Sequence, residues 1–392
     1  MGSSHWATAV LSELADDWKQ SWKPAESTHE FVDHYSIPAF DNGRRPSRDR
    51  PSDIKSNKRV VAPDCVLVSR LNPVTPRIWA PTLDSSTESV CSGEMLVLRP
   101  KPGVDRGYLE YLCKSPFVSR AMLQRVSGTT GSHQRVSPRD VLALAVPFPP
   151  LKEQRAIAEV LASLDDALEL CWRSERLIEE VAQAVAEEIE QSGCVRLREV
   201  AELRRDSVQP AELLGRMWSQ YSIPAFDEGH RPQIDLGDSI ASAKFRVAAE
   251  AVLVSKLNPS WHRVWLPDAA GSAEAICSTE FMPLVPLEPF SAASLWSAVL
   301  SRHFNSQLRE RASGTSGSHQ RVRPDDMLAC SVMDIRLLSD PQAEMLNLLA
   351  EDLRLLRLKR DALRATRDEL LPKLVSGDLR IEAPERLLDL VA

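Results

Sequence analysis

The sequence predicts an α+β protein made of two pseudo-symmetric α+β domains and two long helices that form an antiparallel coiled coil. Three observations support this prediction. The chain repeats itself, each copy combines strand-like runs with a helical stretch, and a long amphipathic helix follows each copy. With 392 residues, the chain is long enough for two domains that each bury a core.

The repeat has an offset of 186 residues and needs no gap. Residues 35–144 align with residues 221–330, and about 49 of 110 positions are identical. The longest shared runs are YSIPAFD, VLVS[RK]LNP and the loop SGT[TS]GSHQRV, which occupies 127–136 and 313–322. Two long copies indicate a pair of related domains, because a solenoid needs at least three short repeats.

Each copy has the same predicted elements. The runs VLVSRL, RIWAP and MLVLRP and their counterparts are typical of strands, and Pro, Gly, Asn and Asp separate them. One helical stretch follows, and it is clearest in the second copy, where apolar residues recur at helical spacing: Leu295, Val299, Leu300, Phe304 and Leu308. We therefore expect each copy to fold as a compact α+β domain of about 145 residues.

A long helix is predicted after each copy. Apolar positions alternate in steps of four and three from Ile157 to Ile189, and again from Leu346 to Leu374. This is the period of a coiled coil, and at 1.5 Å per residue each helix spans about 50–60 Å. Gly193 and Gly377 mark the two ends. Two unrelated amphipathic core helices are the alternative, but their matching places in the repeat favour pairing.

Glu175 and Arg360, near the middle of each helix, occupy seam positions that are otherwise mainly apolar. A charge at such a position loses hydration, so an opposite charge should lie near it. If the helices are antiparallel, Glu175 and Arg360 come within about one turn, and we predict a contact between them. In the alternative interpretation, both side chains extend to solvent.

Composition narrows the class of protein. About 43% apolar and 26% charged residues are ordinary for a soluble globular protein. The sequence has no apolar run of membrane-spanning length and no basic-then-apolar signal segment at its N-terminus. The seven cysteines form no CxxC pair and no His cluster, which argues against disulfides and a metal site. We expect a reduced, cytoplasmic protein that binds no metal and no membrane.

Charge is distributed unevenly along the chain. The net charge is −7, but residues 35–144 carry about +7, residues 151–190 about −7 and residues 221–330 about −2. The basic segment permits nucleic-acid binding without establishing it.

Motifs for catalysis are not evident. Asn72-Pro73 and Asn258-Pro259 partly resemble the Asn-Pro-Pro-aromatic motif of adenine methyltransferases, which binds a flipped base. However, the sequence has no glycine-rich strand–turn–helix segment for S-adenosylmethionine, and it has neither GxxxxGK[ST] nor GxSxG. We therefore expect a non-catalytic chain with no bound cofactor.

The segments PFPPLKEQRAIAEVLASLDDAL after the first copy and LLPKLVSGDLRI near the end of the second helix carry a family resemblance. Together with the tandem architecture, they resemble the specificity subunit of type I restriction–modification systems over essentially the whole chain. The boundaries we then predict are target-recognition domain 1 at 1–150, a spacer helix at 151–192, target-recognition domain 2 at 193–336, and a second spacer helix with a tail at 337–392.

The resemblance implies a function. Each recognition domain would read one half of a split double-stranded DNA target. The subunit would recruit modification subunits, two being expected, which use S-adenosylmethionine, and usually also motor–nuclease subunits. It also implies a subunit contact on the LKEQR stretch at Glu153, Gln154 and Arg155. The second copy reads LLSDP at 337–341, so that contact should be weaker or asymmetric there.

The repeated loop is the first candidate site for DNA. Glycines in it allow close approach of the backbone to another surface, and its polar side chains suit phosphate oxygens or base edges. The candidates are Ser132, His133, Gln134 and Arg135 in the first copy, and Ser318, His319, Gln320 and Arg321 in the second. A loop that is the same in both copies indicates a shared task, such as holding the DNA backbone. Alternatively, the loop packs internally and its arginine pairs with a carboxylate of its own domain.

Other cations are candidates of two kinds. Those that keep their charge in both copies are expected to bind phosphates: Lys58 and Lys244, Arg70 and Lys256, and Arg77 and Arg263. Those of the first copy without a cationic counterpart are candidates for contacts in the DNA grooves, and the alternative for each is solvated surface: Arg44, Arg48, Arg50, Lys55, Arg59 and Arg106.

Two rival functions remain open at this stage. A self-contained adenine-specific methyltransferase or nuclease would need a cofactor or metal motif. A coiled-coil scaffold would have no role with DNA.

Overall fold

A computed structural model describes residues 6–84, 86–127, 134–268, 274–314 and 320–381. The chain forms two compact units. Unit 1 comprises Met1–Leu168 and Ala362–Ala392, and unit 2 comprises Glu169–Asp361. Each unit therefore contains one copy of the repeat and a segment of each long helix.

Unit 1 contains the strands β1 (Thr8–Val10), β2 (Ala15–Asp17), β3 (Ser21–Trp22), β4 (Val32–Tyr35), β5 (Ser47–Asp49), β6 (Lys58–Val60), β7 (Val66–Ser69), β8 (Ile78–Trp79), β9 (Glu88–Cys91), β10 (Met95–Pro100) and β11 (Ala145–Pro147). Its helices are α1 (Leu11–Leu14), α2 (Ile37–Asp41), α3 (Arg106–Lys114), α4 (Pro116–Leu123) and α5 (Pro138–Leu142), with 3-10 turns at Pro24–Glu26 and Pro51–Asp53. The first long helix, α6 (Leu151–Glu190), begins just after the prolines of PFPP and continues into unit 2.

Unit 2 contains the strands β12 (Cys194–Arg196), β13 (Ala201–Leu203), β14 (Ser207–Val208), β15 (Met217–Tyr221), β16 (Gln233–Leu236), β17 (Lys244–Arg246), β18 (Val252–Ser255), β19 (Val264–Trp265), β20 (Glu274–Ser278), β21 (Phe281–Pro286) and β22 (Ser331–Met333). Its helices are α7 (Ile223–Asp227), α8 (Ala292–Leu300), α9 (Arg302–Glu310) and α10 (Pro324–Leu328), with 3-10 turns at Leu197–Glu199, Pro210–Glu212, Gly237–Ser239 and Ile335–Leu337. The second long helix, α11 (Asp340–Ser376), begins in unit 2 and continues into unit 1. Gly377 follows its last residue with a φ of +85°, which suits glycine.

The two units have the same sheet topology. In unit 1 the sheets have the orders β2-β10-β7-β8 and β3-β6-β9-β4-β5, and β1 pairs with β11. In unit 2 the orders are β13-β21-β18-β19 and β14-β17-β20-β15-β16, and β12 pairs with β22. Within each five-stranded sheet, one pair is parallel, β4 with β9 and β15 with β20. The predicted α+β class and tandem architecture are confirmed.

The predicted helical stretch is two helices in each unit. Ser115 and Ser301, which coincide in an otherwise divergent part of the repeat, explain the break. Each serine ends one helix in an extended conformation, and its Oγ accepts a hydrogen bond from the backbone N–H three residues later, at Val118 and Phe304. Both serines are fully buried, so this cap is internal to each unit.

The long helices are paired within each unit. In unit 1, Asp165 of α6 lies 3.3 Å from Arg367 of α11, and the Tyr111 hydroxyl of α3 donates to Asp165 at 3.0 Å. A second contact joins the N-terminal segment to α11, where the indole N–H of Trp6 donates to the Leu374 carbonyl at 3.0 Å.

In unit 2 the predicted Glu175–Arg360 contact is confirmed. Nη1 of Arg360 donates to both carboxylate oxygens of Glu175, at 2.7 and 2.9 Å, and Arg360 is fully buried. One turn further along α6, Glu179 pairs with Arg357 at 3.2 Å. Because Glu175 and Glu179 meet Arg360 and Arg357 in reverse order, the segments run antiparallel.

No helix in the described part of the chain is long and apolar enough to cross a membrane.

Candidate nucleic-acid interface

The base of each repeated loop is closed by backbone hydrogen bonds. Ser127 and Arg135 exchange N–H···O bonds at 2.9 and 3.0 Å, and Ser313 and Arg321 do the same at 3.0 and 2.9 Å. We call these closed bases the loop stems, at residues 127 with 134–136 and 313 with 320–322. The candidates Ser132, His133, Ser318 and His319 lie outside the described residues.

The stems rest on the VLVS[RK]LNP segments. The Asn72 N–H donates to the Gln134 carbonyl at 2.9 Å, and the Asn258 N–H donates to the Gln320 carbonyl at 2.8 Å. Asn72 and Asn258 have φ near +49° and +48°, a left-handed conformation that asparagine tolerates better than most residues. The Asn-Pro pairs therefore have a structural role, since each forms the turn that carries a loop stem. This explains why the two motifs recur together.

Each stem arginine pairs with a carboxylate of its own unit. Nη2 of Arg135 lies 2.9 Å from Glu94, and Nε and Nη2 of Arg321 donate to Glu280 at about 3.1 Å. This is the internal pairing that the sequence left as an alternative. The side chains of Arg135 and Arg321 nevertheless stay 51% and 46% exposed, so both can also contact an external ligand.

The neighbouring cations differ between the units. Arg70 is 19% exposed, and its Nη2 contacts Glu94 and the Gly93 carbonyl at 3.2 Å each. Lys256, its counterpart, is partly exposed, and its backbone N–H donates to the Glu280 carbonyl. Both residues are next to a loop stem, as a phosphate contact there requires.

The prediction that Arg77 and Arg263 bind phosphates needs correction. Each uses Nε and Nη2 to bind both oxygens of an aspartate at the end of the IPAFD helix, Arg77 with Asp41 and Arg263 with Asp227, at 2.6–2.8 Å. Both arginine side chains are only 11% exposed. Their charge recurs because the bidentate pair belongs to the fold.

The prediction that Lys244 binds a phosphate also needs correction. Lys244 is buried, its Nζ donates to the Ser242 hydroxyl, and burial lowers the pKa of its ammonium group. A buried ammonium cannot approach a phosphate. Its counterpart Lys58 is more exposed and donates to Ser56 at 2.9 Å.

The cations found only in the first copy divide into two sets. Arg59 donates to the carbonyls of Met95 and Trp18, and Arg106 to those of Cys65 and Pro81, so both stabilise the fold. The others are at the surface: Arg44 lies over Phe40, Arg48 and Arg50 lie over Phe31 at 5.4 and 5.0 Å, and Lys55 is exposed.

Comparison with known proteins agrees with this architecture. The crystal structure of a type I restriction–modification S subunit from M. genitalium aligns with a TM-score of 0.57 at 14% identity, covering 94% of this chain and 96% of that chain. At this identity the likeness concerns the fold. In sequence, residues 80–180 match the model of the type I restriction modification DNA specificity domain. The chain therefore shares the fold of an S subunit, and part of its sequence matches the model of the DNA specificity domain.

Two further structures align over most of their length. The HsdS subunit from Thermoanaerobacter tengcongensis has a TM-score of 0.41 at 18% identity and covers 96% of this chain and 97% of that chain. A structure concerned with complex assembly and conformational transition of the type I R-M system has a TM-score of 0.45 at 20% identity, with 96% and 98% covered. No curated protein matches the chain in sequence.

The subunit contact that the sequence resemblance implies needs one correction. Gln154 is fully buried in unit 1, where its amide accepts from the Asp105 N–H and donates to the Gly103 and Pro149 carbonyls. This side chain fixes the start of α6 against α3 and is not offered to a partner. Arg155 is exposed and Glu153 is partly exposed, so these two remain candidates.

Sequence reasoning missed the carboxylates Glu94 and Glu280, and also Asp41 and Asp227. All four are identical between the copies, which is the signal that could have found them. Within the ranges that the structure describes, no group of three or more His, Cys, Asp or Glu side chains is arranged to hold a metal ion.

Proposed function

We propose that this chain is a specificity subunit that binds double-stranded DNA through both units. Each unit would read one half of a two-part sequence, and the chain would recruit two modification subunits to it. The chemistry, including the use of S-adenosylmethionine, would belong to the partners, and the chain itself would be non-catalytic and cytoplasmic. The observation that carries the proposal is the loop stem, which has the same backbone pairing and a half-exposed arginine in both units.

Two kinds of DNA contact follow from what the units share and where they differ. The stems are the same in both copies, so Arg135 and Arg321 suit a task common to both halves, such as binding phosphates. Surface residues that differ between the copies suit the choice of bases. The candidates for this are Arg44, Arg48, Arg50 and Lys55.

Assembly with partners is supported by exposed apolar side chains on the long helices. Leu170 and Leu177 of α6 are 65% and 60% exposed, and Leu348, Leu355 and Leu358 of α11 are 62%, 49% and 49% exposed. Leu170 and Leu177, like Leu348 and Leu355, are seven residues apart, so each pair lies on one face of its helix, and exposed apolar side chains that lie together mark contacts with other proteins. We assign them to a modification subunit.

The test is selection of duplexes from a random pool by the complex of this chain with its modification subunits. We expect two short conserved blocks separated by a spacer of unconstrained sequence. A single contiguous block would contradict recognition by two units, and no enrichment would favour a scaffold without a DNA role. Methyl transfer by the isolated chain supplied with S-adenosylmethionine would instead support the enzyme alternative.

The stem arginines are tested in the same complex. Arg135→Ala and Arg321→Ala should each weaken binding to all duplexes, and log Kd should depend less steeply on log salt by about one phosphate contact each. Arg204→Ala, which removes an exposed cation paired with Glu202 away from the stems, is the control and should change neither quantity. A sharp change of preferred base would make that arginine a base reader, and unchanged affinity in both variants would assign the stems to internal packing.

A further inference from the structure

A carboxylate lies at the same place beside each loop stem. Glu94 ends the turn before β10, and Glu280 ends the turn before β21. Each backbone is fixed in the same way. The glutamate N–H donates to the hydroxyl oxygen of a serine two residues earlier, at 3.2 Å, and the glutamate carbonyl accepts from the backbone N–H of Arg70 or Lys256 at 2.9 Å.

These carboxylates hold the stem arginines from one side. Glu280 accepts from both Nε and Nη2 of Arg321, and this fork leaves Nη1 without a hydrogen-bond partner among the described residues. Glu94 divides its oxygens, Oε1 facing Arg135 at 2.9 Å and Oε2 facing Arg70 at 3.2 Å. Both glutamates are about one quarter exposed, so solvent reaches the pairs.

A carboxylate beside the stem arginine weakens the binding of DNA that does not depend on sequence. The DNA backbone is an array of negative charges, and affinity without sequence preference comes from cations that neutralise phosphates. Glu94 and Glu280 cancel part of the charge that Arg135 and Arg321 offer. In return, a guanidinium fixed on one edge presents its remaining donors in one direction, which favours a ligand with an acceptor at one position.

Resting on the proposed function, we propose that Glu94 and Glu280 are specificity-determining positioning residues, which fix Arg135 and Arg321 and reduce binding of the stems to unrelated DNA. Stabilising the fold is a weak alternative role for these pairs, because solvent-exposed ion pairs contribute little to stability.

The experiment uses the assembled complex carrying Glu94→Gln together with Glu280→Gln. Two duplex probes are compared over a salt series, one carrying the sequence selected by the wild-type complex and one with that sequence scrambled. For the scrambled probe we expect tighter binding, about threefold per unit from one surface charge acting at about 6 Å, and a steeper salt dependence. The ratio of the two affinities should fall on the order of tenfold, because only the specific complex holds a phosphate at the fixed place to which each positioned arginine donates, and it loses that contact.

Two sets of variants separate the causes. Asp16→Asn and Glu202→Gln neutralise carboxylates at matched places in the two units, whose partners Lys101 and Arg204 are not stem arginines, and they should leave the affinity ratio unchanged. Glu94→Asp with Glu280→Asp keeps the charge but shortens the side chain. Binding to the scrambled probe should then stay as in the wild type while the ratio still falls.

The proposal is overturned if the Gln variants behave like the controls, or if both probes lose affinity equally. An equal loss with a lowered melting temperature would assign the glutamates to folding. If the wild-type complex itself binds neither probe, the proposed function fails, and this outcome is distinct from failure of the glutamate proposal.

Discussion

Arg360 and Glu175 form the most buried ion pair of unit 2, and Arg360 also lies over the ring of Trp172 at 4.4 Å. The pair could be predicted from sequence because a charge in an apolar seam requires an opposite charge close by. Nothing in the sequence indicated that Arg357 would join it, 3.7 Å from Glu175, or that Arg357 would also donate to the Leu266 carbonyl. That contact depends on how the helix segment packs against the domain, which no periodicity encodes.

Charge reversal tests this pair. Glu175→Arg should destabilise unit 2 by about 3–5 kcal/mol, because it removes the partner of a buried guanidinium and adds a second cation. Adding Arg360→Glu should restore part of the loss, measured as the midpoint of urea unfolding. Reversal of Arg173 and Glu169, an exposed pair on α6, should have little effect in either variant. Absence of any recovery in the double variant would show that Glu175 and Arg360 are not coupled.

The hairpin at the edge of each five-stranded sheet carries different types of side chain in the two units. In unit 1, Phe31 precedes β4. Arg48 lies on the edge strand β5 and Arg50 follows it, and both guanidinium groups lie over the ring of Phe31. The equivalent positions of unit 2 are Met217, Ile234 and Leu236, which are 44%, 56% and 47% exposed. Guanidinium groups suit guanine edges and phosphates, whereas apolar side chains suit the methyl group of thymine.

Exchange of these residues is therefore expected to alter one half of the target. Phe31→Met, Arg48→Ile and Arg50→Leu together should change the bases selected in a single block and make the salt dependence shallower. Lys19→Ile with Lys23→Leu removes two cations elsewhere in unit 1 and should leave the selected sequence unchanged. Selection of duplexes from a random pool measures both. Changes in both blocks, or in neither, would mean that the hairpin does not read bases.

Sequence reasoning predicted elements better than contacts. The repeat, the coiled-coil period and the strand runs each depend on a local pattern, so the two domains and both long helices could be recognised. The roles of Arg77, Lys244 and Gln154 could not be predicted, because the same type of side chain can either contact a partner at the surface or form a hydrogen bond inside the domain. Only the fold shows that Asp41 faces Arg77, or that Gln154 is enclosed by backbone carbonyls.

The two units are expected to respond differently to acid, because unit 2 contains two buried histidines whose pKa is lowered. Burial, with a smaller effect of the Arg357 and Arg360 charges, lowers the pKa of His230 from 6.5 to about 3. Burial also lowers the pKa of His262 from 6.5 to about 4. Both histidines belong to unit 2 and are neutral in the folded state near pH 5, whereas the unfolded chain would bind a proton at each.

Unit 2 should consequently lose stability as the pH falls from about 6.5 towards 3. Because the folded pKa values are depressed, the stabilisation is complete above pH 6.5, and about 2 kcal/mol per histidine is lost at pH 5. Hydrogen exchange at pH 7 and pH 5 should show unit 2 opening first. His230→Asn, which tolerates the left-handed backbone at that position, combined with His262→Gln should flatten the dependence. Equal acid sensitivity in the variant would assign the effect to other groups.

Unit 1 is discontinuous in the chain, since its second segment, from residue 362 onward, follows the whole of unit 2. The strands of unit 1 leave the ribosome first. They cannot complete their packing until α11 has been made, because Arg367 contacts Asp165 and the Leu374 carbonyl accepts from Trp6. Unit 2, by contrast, is contiguous and has all its residues once position 361 has been made. Its folding can therefore be complete during synthesis, while an early stop in translation would leave unit 1 with an uncovered apolar surface.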